Sequence, residues 1–181
     1  MPKSFIMAID RSTHNGVEVF SPVATHINSQ NILVRYSDFF KHMRKLGSQK
    51  RTYVPKMLRI IKQLVDEKVI LGLKVFTRLG DVLELVESRK TLILACVVDN
   101  NTYNYYTTEG IKSSDRLRDI PLILLEDELK KPGKELIKKV RRLRLTMVYL
   151  RIVMNISDNI ANYARSILEG NLENIPTVWR L

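Results

Sequence analysis

Apolar residues set the period of each segment, and the first clear signal is a pair of runs, Phe5–Ile9 and Val17–Phe20, flanking Asn15-Gly16. That dipeptide suits the left-handed angles of a tight turn, so a β-hairpin is predicted. A connector containing Pro22 and Asn28 to Asn31 follows. Ser37 is placed to cap a helix over Asp38 to Leu46, with Phe39, Phe40 and Met43 as its core side and Gly47 as its stop. Pro55 opens a second helix running to about Glu67, whose apolar stripe is Met57, Leu58, Ile61, Leu64 and Val65.

Val69 to Phe76 and Val82 to Val86 read as a second hairpin around residues 77–81. Thr91 to Val98 and Thr102 to Thr107 read as a third, joined by Asp99-Asn100-Asn101, and Ile120 to Leu125 adds a short strand. From Gly133 the period turns helical. Leu136, Ile137, Val140, Leu143, Met147, Leu150 and Met154 recur at three- and four-residue steps, and a further helix covers about Asp158 to Leu168. The expected fold class is α+β. A helix-helix-hairpin domain with further antiparallel strands over residues 1–128 is followed by a basic helical extension over 129–181.

Composition agrees with a chain that buries a core, since 45% of its 181 residues are apolar and only seven are Gly and six Pro. The single cysteine, Cys96, sits in the apolar run Leu92 to Val98 and reads as a packed thiol, which fits a reducing intracellular compartment. No apolar stretch has the length of a membrane span, and no secretory signal opens the chain.

Charge changes the picture most. Residues 39–62 hold eight lysines and arginines and no acid, and residues 130–151 hold nine against Glu135 alone. The formal net charge is +11, so everything outside these two stretches is net acidic. Two dense cationic patches can each neutralise a run of phosphates and release counterions. The expected nucleic-acid contacts are Lys41, Arg44, Lys45, Lys50, Arg51, Lys56 and Arg59 in the first stretch, and Lys134, Lys138, Arg141 and Arg142 in the second. Solvated helix faces usually mix signs; the first stretch does not. Tyr103 and Tyr105 alternate onto one strand face, where they could stack on bases or simply cover a sheet.

Nothing in these spacings predicts catalysis, a metal or a cofactor, and no enzyme is expected. His14, His26 and His42 stand singly, and Asp10, Asp81, Glu84, Asp99 and Asp127 form no carboxylate pair and read as a solvated surface. No phosphate-cradling glycine loop or nucleophile elbow is present.

Three segments together resemble the N-terminal part of the small ribosomal subunit protein eight family: Asp38 to Lys45, Tyr53-Val54-Pro55, and Leu64 to Val75 with its Glu67-Lys68-Val69-Ile70-Leu71-Gly72 core. Glu126 to Leu129 echoes the family's Asp-Glu-Leu step, so the resemblance spans residues 37–129. The chain departs from the family's pattern in the residues after Arg44 and Pro55, and a basic helical region stands where the family carries its Ser-Thr-Ser segment. The resemblance implies a structural binder of ribosomal RNA in a divergent ribosome, mitochondrial or cytoplasmic, with Arg44 and Lys56 as backbone contacts and neighbouring proteins of the particle as partners.

The expected function is therefore a noncatalytic, structural RNA-binding component of the small ribosomal subunit. Two other readings use the same residues. One is a winged-helix DNA binder, with residues 55–67 as recognition helix and 71–86 as wing. The other is a membrane-apposed, matrix-like assembly protein, although membrane contact is not expected because no aromatic anchors flank the basic helix. If both basic stretches contact phosphates, each contact adds roughly 0.7 to 0.9 to the log–log slope of affinity against salt. Neutralising Lys138, Arg141 and Arg142 together flattens that slope, and an unchanged slope removes the second stretch from the interface.

Overall fold

The structure is a computed structural model of the chain, and it describes residues 3–41, 49–103, 117, 119–167 and 177–180. Strands β1 (Phe5–His14) and β2 (Val17–His26) form the expected hairpin, in register from Phe5 opposite His26 to His14 opposite Val17. Asn15 (φ 48°) and Gly16 (φ 78°) both take left-handed angles, which matches a two-residue turn to the twist of its strands. Both strands run beyond their apolar runs, so Pro22 lies inside β2, opposite Ile9, rather than in a connector.

Strand β3 (Ile70–Leu73) pairs antiparallel with β2, and β6 (Val178–Trp179) pairs antiparallel with β3. On the other side of β1, β4 (Ile93–Val98) runs parallel to it and β5 (Leu122–Leu125) runs parallel to β4. The order is β5-β4-β1-β2-β3-β6, a mixed sheet in an α+β fold. Among the described residues six α-helices accompany it: α1 (Gln30–Leu33), α2 (Lys50–Asp66), α3 (Leu79–Arg89), α4 (Glu126–Lys130), α5 (Lys134–Arg142) and α6 (Met147–Ile167).

Alternation along the strands builds a core on each face. Ile6 and Ala8 of β1, Ala95 and Val97 of β4, and Leu122 and Leu124 of β5 join a cluster with α2 and α6. Met7 and Ile9, with Cys96 and Val98, join a second cluster with Val82 and Val86 of α3. Helix α6 lies across β1 and β2 and buries Tyr149, Leu150, Val153, Ile156 and Ile160 there. The chain beyond residue 128 thus contains two different things: α5, which carries the cations, and α6, which completes the core of the sheet.

Several expected elements differ. Val82 to Val86 is the middle of α3, not a returning strand. Leu79, Val82, Leu83 and Val86 fall at helical spacing, and Asp81 and Arg89 complement the helix dipole at the first and last turns. With no hairpin over 71–86 there is no wing. Helix α2 starts at Lys50, with Pro55 inside it, and ends as expected near Glu67; Lys68 then turns left-handed (φ 59°) and Val69 N donates to Leu64 O at 2.9 Å. The single apolar face expected from Leu136 to Met154 is broken by Arg144 (φ 59°), and Thr146 Oγ1 caps α6 by accepting from Tyr149 N at 3.2 Å.

Residues 38–41 are turn and irregular chain rather than the start of a helix, and the rest of that expected helix lies outside the described residues. The strand expected from Thr102 opens instead as a helical turn over residues 100–103, and residues 104–107, Tyr105 included, lie outside the described residues. Tyr103 is half-buried against the α3-side core. Among the described residues no helix is long and apolar enough to cross a membrane.

Docking of α6 onto the hairpin uses a polar fastening as well as apolar burial. The fully buried Ser157 hydroxyl accepts from Asp10 N at 2.8 Å and donates to Ser21 O, so it bridges the two strands where Asp10 and Ser21 face each other. Ser157→Ala removes the partner of two buried backbone groups. It is expected to cost about 1–3 kcal/mol in urea unfolding with an unchanged m-value. A negligible change would mean that the strands close on each other without the hydroxyl.

Candidate functional site

The alternation that builds the α6-side core also decides where three acids point. Asp10 follows Ile6 and Ala8 on that face of β1, Asp99 follows Ala95 and Val97 beyond β4, and Glu126 follows Leu122 and Leu124 beyond β5. Parallel pairing brings them side by side: Ile9 faces Val98, Val98 faces Leu125, and Asp99 N donates to Ile9 O at 3.1 Å. A fourth acid, Asp158, comes from α6, one residue after the Ser157 bridge. Asp10, Asp99 and Asp158 are all buried, at 6%, 6% and 7% exposure.

This arrangement sits where the parallel pairing of β1 with β4 and of β4 with β5 ends, at Ile9 opposite Val98 and Val98 opposite Leu125, while β1 continues to His14 in its hairpin with β2.

Electrostatically the centre is under-compensated. Burial raises the Asp10 carboxyl well above its ordinary 3.8, the negative charges of Asp158, Asp99 and Glu126 push the same way, and only the main-chain N–H of Arg11 opposes them. Asp99 is also raised, chiefly by burial, and hydrogen bonds from Thr102 and Asn101 together with the Arg11 charge hold it back. Those bonds make Asp99 the cap of the helical turn over 100–103, with Asn101 N at 2.9 Å and Thr102 N at 3.2 Å. Asn162 Nδ2 donates to Asp158 Oδ1 at 2.7 Å, and Ser12 Oγ donates to Asn162 Oδ1 at 3.1 Å, which fixes Asp158 against β1. Among the described residues no group of three or more His, Cys, Asp or Glu is placed to hold a metal ion by itself.

Two cavities flank this centre along α6. One, of about 480 Å³, is bordered by Lys41, Gln49, Glu126, Lys130, Arg151 and Asn155. The other, of about 350 Å³, is bordered by Lys50, Arg51, Pro55, Asn162, Tyr163 and Arg165. The expected nucleic-acid contacts divide accordingly. Lys41 lies in the first cavity, and Lys50 and Arg51 in the second. Lys56 is exposed with its ammonium 5.5 Å from the Phe39 ring, and Arg59 is exposed further along α2. Arg44 and Lys45 lie outside the described residues. Lys134, Lys138, Arg141 and Arg142 form an exposed face of α5 away from both cavities, and Lys138 pairs with Glu135 at 2.7 Å. Arg141 borders a separate small cavity with Ile137 and Val140.

The acids that looked scattered along the sequence are therefore partly assembled. Asp10 and Asp99 meet, while Asp81 and Glu84 lie apart on α3, and Asp127 pairs with Lys130 at 2.8 Å. Glu126, Asp158, Arg151, Lys130 and Arg165 are additions that single-residue spacing did not single out. Two signals bear on the acids. An acid closes each of the apolar runs ending at Ile9, Val98 and Leu125, and Asn155, Asp158 and Asn162 interrupt an apolar helix at three- and four-residue steps.

The raised Asp10 carboxyl has a measurable consequence. The folded state holds this proton more tightly than the unfolded chain, so its contribution is fully present below pH 3.8 and is lost as pH rises through the folded value. Across that window the loss is up to about 1.4 kcal/mol per pH unit. The Asp10→Asn variant is expected to be more stable than the parent at neutral pH, with the gap closing towards acid. A gap independent of pH would show that Asp10 is not the strained carboxyl.

Comparison of the chain with protein-family models, with curated proteins and with solved structures finds no match.

Proposed function

We propose that this protein hydrolyses phosphodiester bonds of nucleic acid with the help of a divalent cation such as Mg²⁺ or Mn²⁺. The observation that carries the reading is the set of three buried carboxylates, Asp10, Asp99 and Asp158, with Asp10 repelled by the other two, where the parallel pairing of β1 and β4 ends, between two cation-bordered cavities. Hard oxygen donors are what Mg²⁺ takes, and it commonly uses one or two carboxylates plus water and substrate phosphate rather than a closed protein cage.

The ion supplies two things there: it lowers the pKa of a water molecule and offsets charge on the phosphoryl oxygens. A water oxygen attacks phosphorus and gives up one proton, the bond from phosphorus to the leaving oxygen breaks, and the leaving oxygen takes up one proton, so that the net change is the addition of water across that bond. The chain's residues hold the reacting groups. Asp10 and Asp158 face each other across the β1–α6 contact, Asn162 orients Asp158, and the helical turn capped by Asp99 fixes that carboxylate. The cations of both basic stretches draw the polyanion in.

A second reading keeps the exposed cationic face of α5, which lies away from the acids: a noncatalytic RNA-binding component, ribosomal or otherwise, that uses Lys134, Lys138, Arg141 and Arg142 on phosphates. One experiment separates the two. End-labelled single- and double-stranded DNA and RNA are incubated with the purified chain and Mg²⁺ or Mn²⁺. Cleavage that disappears with chelator, and that falls about 10²-fold or more in Asp10→Asn and Asp158→Asn, is expected. Binding without metal-dependent cleavage, or cleavage indifferent to both substitutions, defeats the hydrolase reading and leaves the noncatalytic one.

A further inference from the structure

Helix α6 carries a polar stripe whose middle, Asp158 and Asn162, is buried against β1 and whose ends, Arg151 and Arg165, reach two cavities. Arg151, Asn155, Asp158, Asn162 and Arg165 follow one another at steps of four, three, four and three residues, which places them on one face of the helix. The other residues around them include Ile152, Val153, Ile156, Ile160 and Ala161, all buried. Arg151 and Asn155 border the first cavity, and Asn162 and Arg165 border the second, with Asp158 midway. At 1.5 Å per residue each arginine lies about 10 Å along the axis from Asp158.

Both arginines are oriented by the body of the protein. Arg151 Nε donates to Leu129 O at 2.9 Å, and Arg165 Nη1 donates to Thr13 O at 3.1 Å. Each is joined by cations from other elements: Lys41 in the first cavity, and Lys50 and Arg51 in the second. Lys130 also borders the first cavity, but its ammonium is engaged by Glu126 at 3.1 Å and Asp127 at 2.8 Å, so Lys41 and Arg151 supply that cavity's positive charge.

We infer that one nucleic-acid strand lies along this face of α6, with phosphates held in both cavities, so that the chain continues on either side of Asp158. The full stripe is about 21 Å long, room for roughly six phosphates of a strand in B-form and fewer of an extended one. Such a track grips the interior of a strand and does not need an end. The site of cleavage between the two subsites rests on the hydrolase reading above; the two phosphate subsites do not.

Binding measured without catalysis tests the track by itself. Fluorescence anisotropy of a labelled single strand, DNA in one arm and RNA in the other, is followed against salt in chelator with the full chain. Paired reversals Lys41→Glu with Arg151→Glu, and Lys50→Glu with Arg165→Glu, are each expected to lower the salt slope by about 2, whereas Lys62→Glu, which borders neither cavity, is compared as the control. Because both arginines also bond the main chain, the single reversals Lys41→Glu and Lys50→Glu are measured too. These side chains are exposed, so their slopes are expected to fall by about 1 each with melting unchanged. An unlabelled closed circle is expected to compete as well as a linear strand of equal length.

A slope that responds at only one cavity, or at neither, overturns the track, and so does a circle that competes poorly. The DNA and RNA arms decide which sugar the track accepts. Slopes that fall at both cavities in a protein that cuts nothing leave the track standing and remove the hydrolase. Metal-dependent cleavage with unaffected slopes does the reverse.

Discussion

Like charge held out of water at the centre of the sheet is the constraint on which the rest of the molecule turns. Asp10 is almost wholly buried and faces Asp158, Asp99 and Glu126, with a single main-chain donor working in its favour. A core position filled by an apolar residue would be more stable there, since burying charge without a counterion is costly. The surrounding structure sustains the arrangement with well-packed elements on every side: β4 in register beside β1, α6 fastened through Ser157, and the capped turn after Asp99. A proton relieves the strain, and on the hydrolase reading a divalent cation would do the same.

Helix α6 has to satisfy two demands at once. It supplies the large apolar side chains that cover β1 and β2, among them Tyr149, whose hydroxyl lies 2.6 Å from Thr25 Oγ1 and donates to His26 O at 2.9 Å. It also carries a row of polar residues into that contact. Every polar side chain that goes under must find a partner, and these largely do: Ser157 with both strands, Asn162 with Asp158 and Ser12, and Asn159 Nδ2 with Tyr53 Oη at 2.8 Å. Asn155 Nδ2 holds Phe40 O at 2.8 Å, which brings the loop bearing Lys41 to the rim of the first cavity. The hydrogen bonds that dock the helix therefore also place the cations.

What could be read from the chain followed the range of the interactions involved. The hairpin at Asn15-Gly16 was legible because turn and strands are neighbours, and the end of α2 and the strand at Leu122 to Leu125 were legible for similarly local reasons. Val82 to Val86 misled because β-branched residues suggest strand, while the spacing that also includes Leu79 and Leu83 is helical. The cationic stretches were visible as composition, and Lys41, Lys50 and Arg51 do border cavities. The acids were not visible as a set, because Asp10, Asp99 and Asp158 are brought together only by parallel strand pairing and by a helix packed from far along the chain. No local spacing encodes a contact of that range.

The two kinds of charge then explain each other. A net charge of +11 attracts a polyanion to the surface, yet the site at the heart of the sheet repels it. Arg151 and Arg165 border the two cavities, and Asp158 lies between them along the helix. On the hydrolase reading, a divalent cation held by Asp10 and Asp158 would turn that repulsion into attraction. The flanking cations would then raise the local concentration of a polyanion, and the ion would complete the site. In such an arrangement affinity and reaction are separable: the basic residues set how tightly the strand is held, and the acidic ones set whether holding it leads to chemistry.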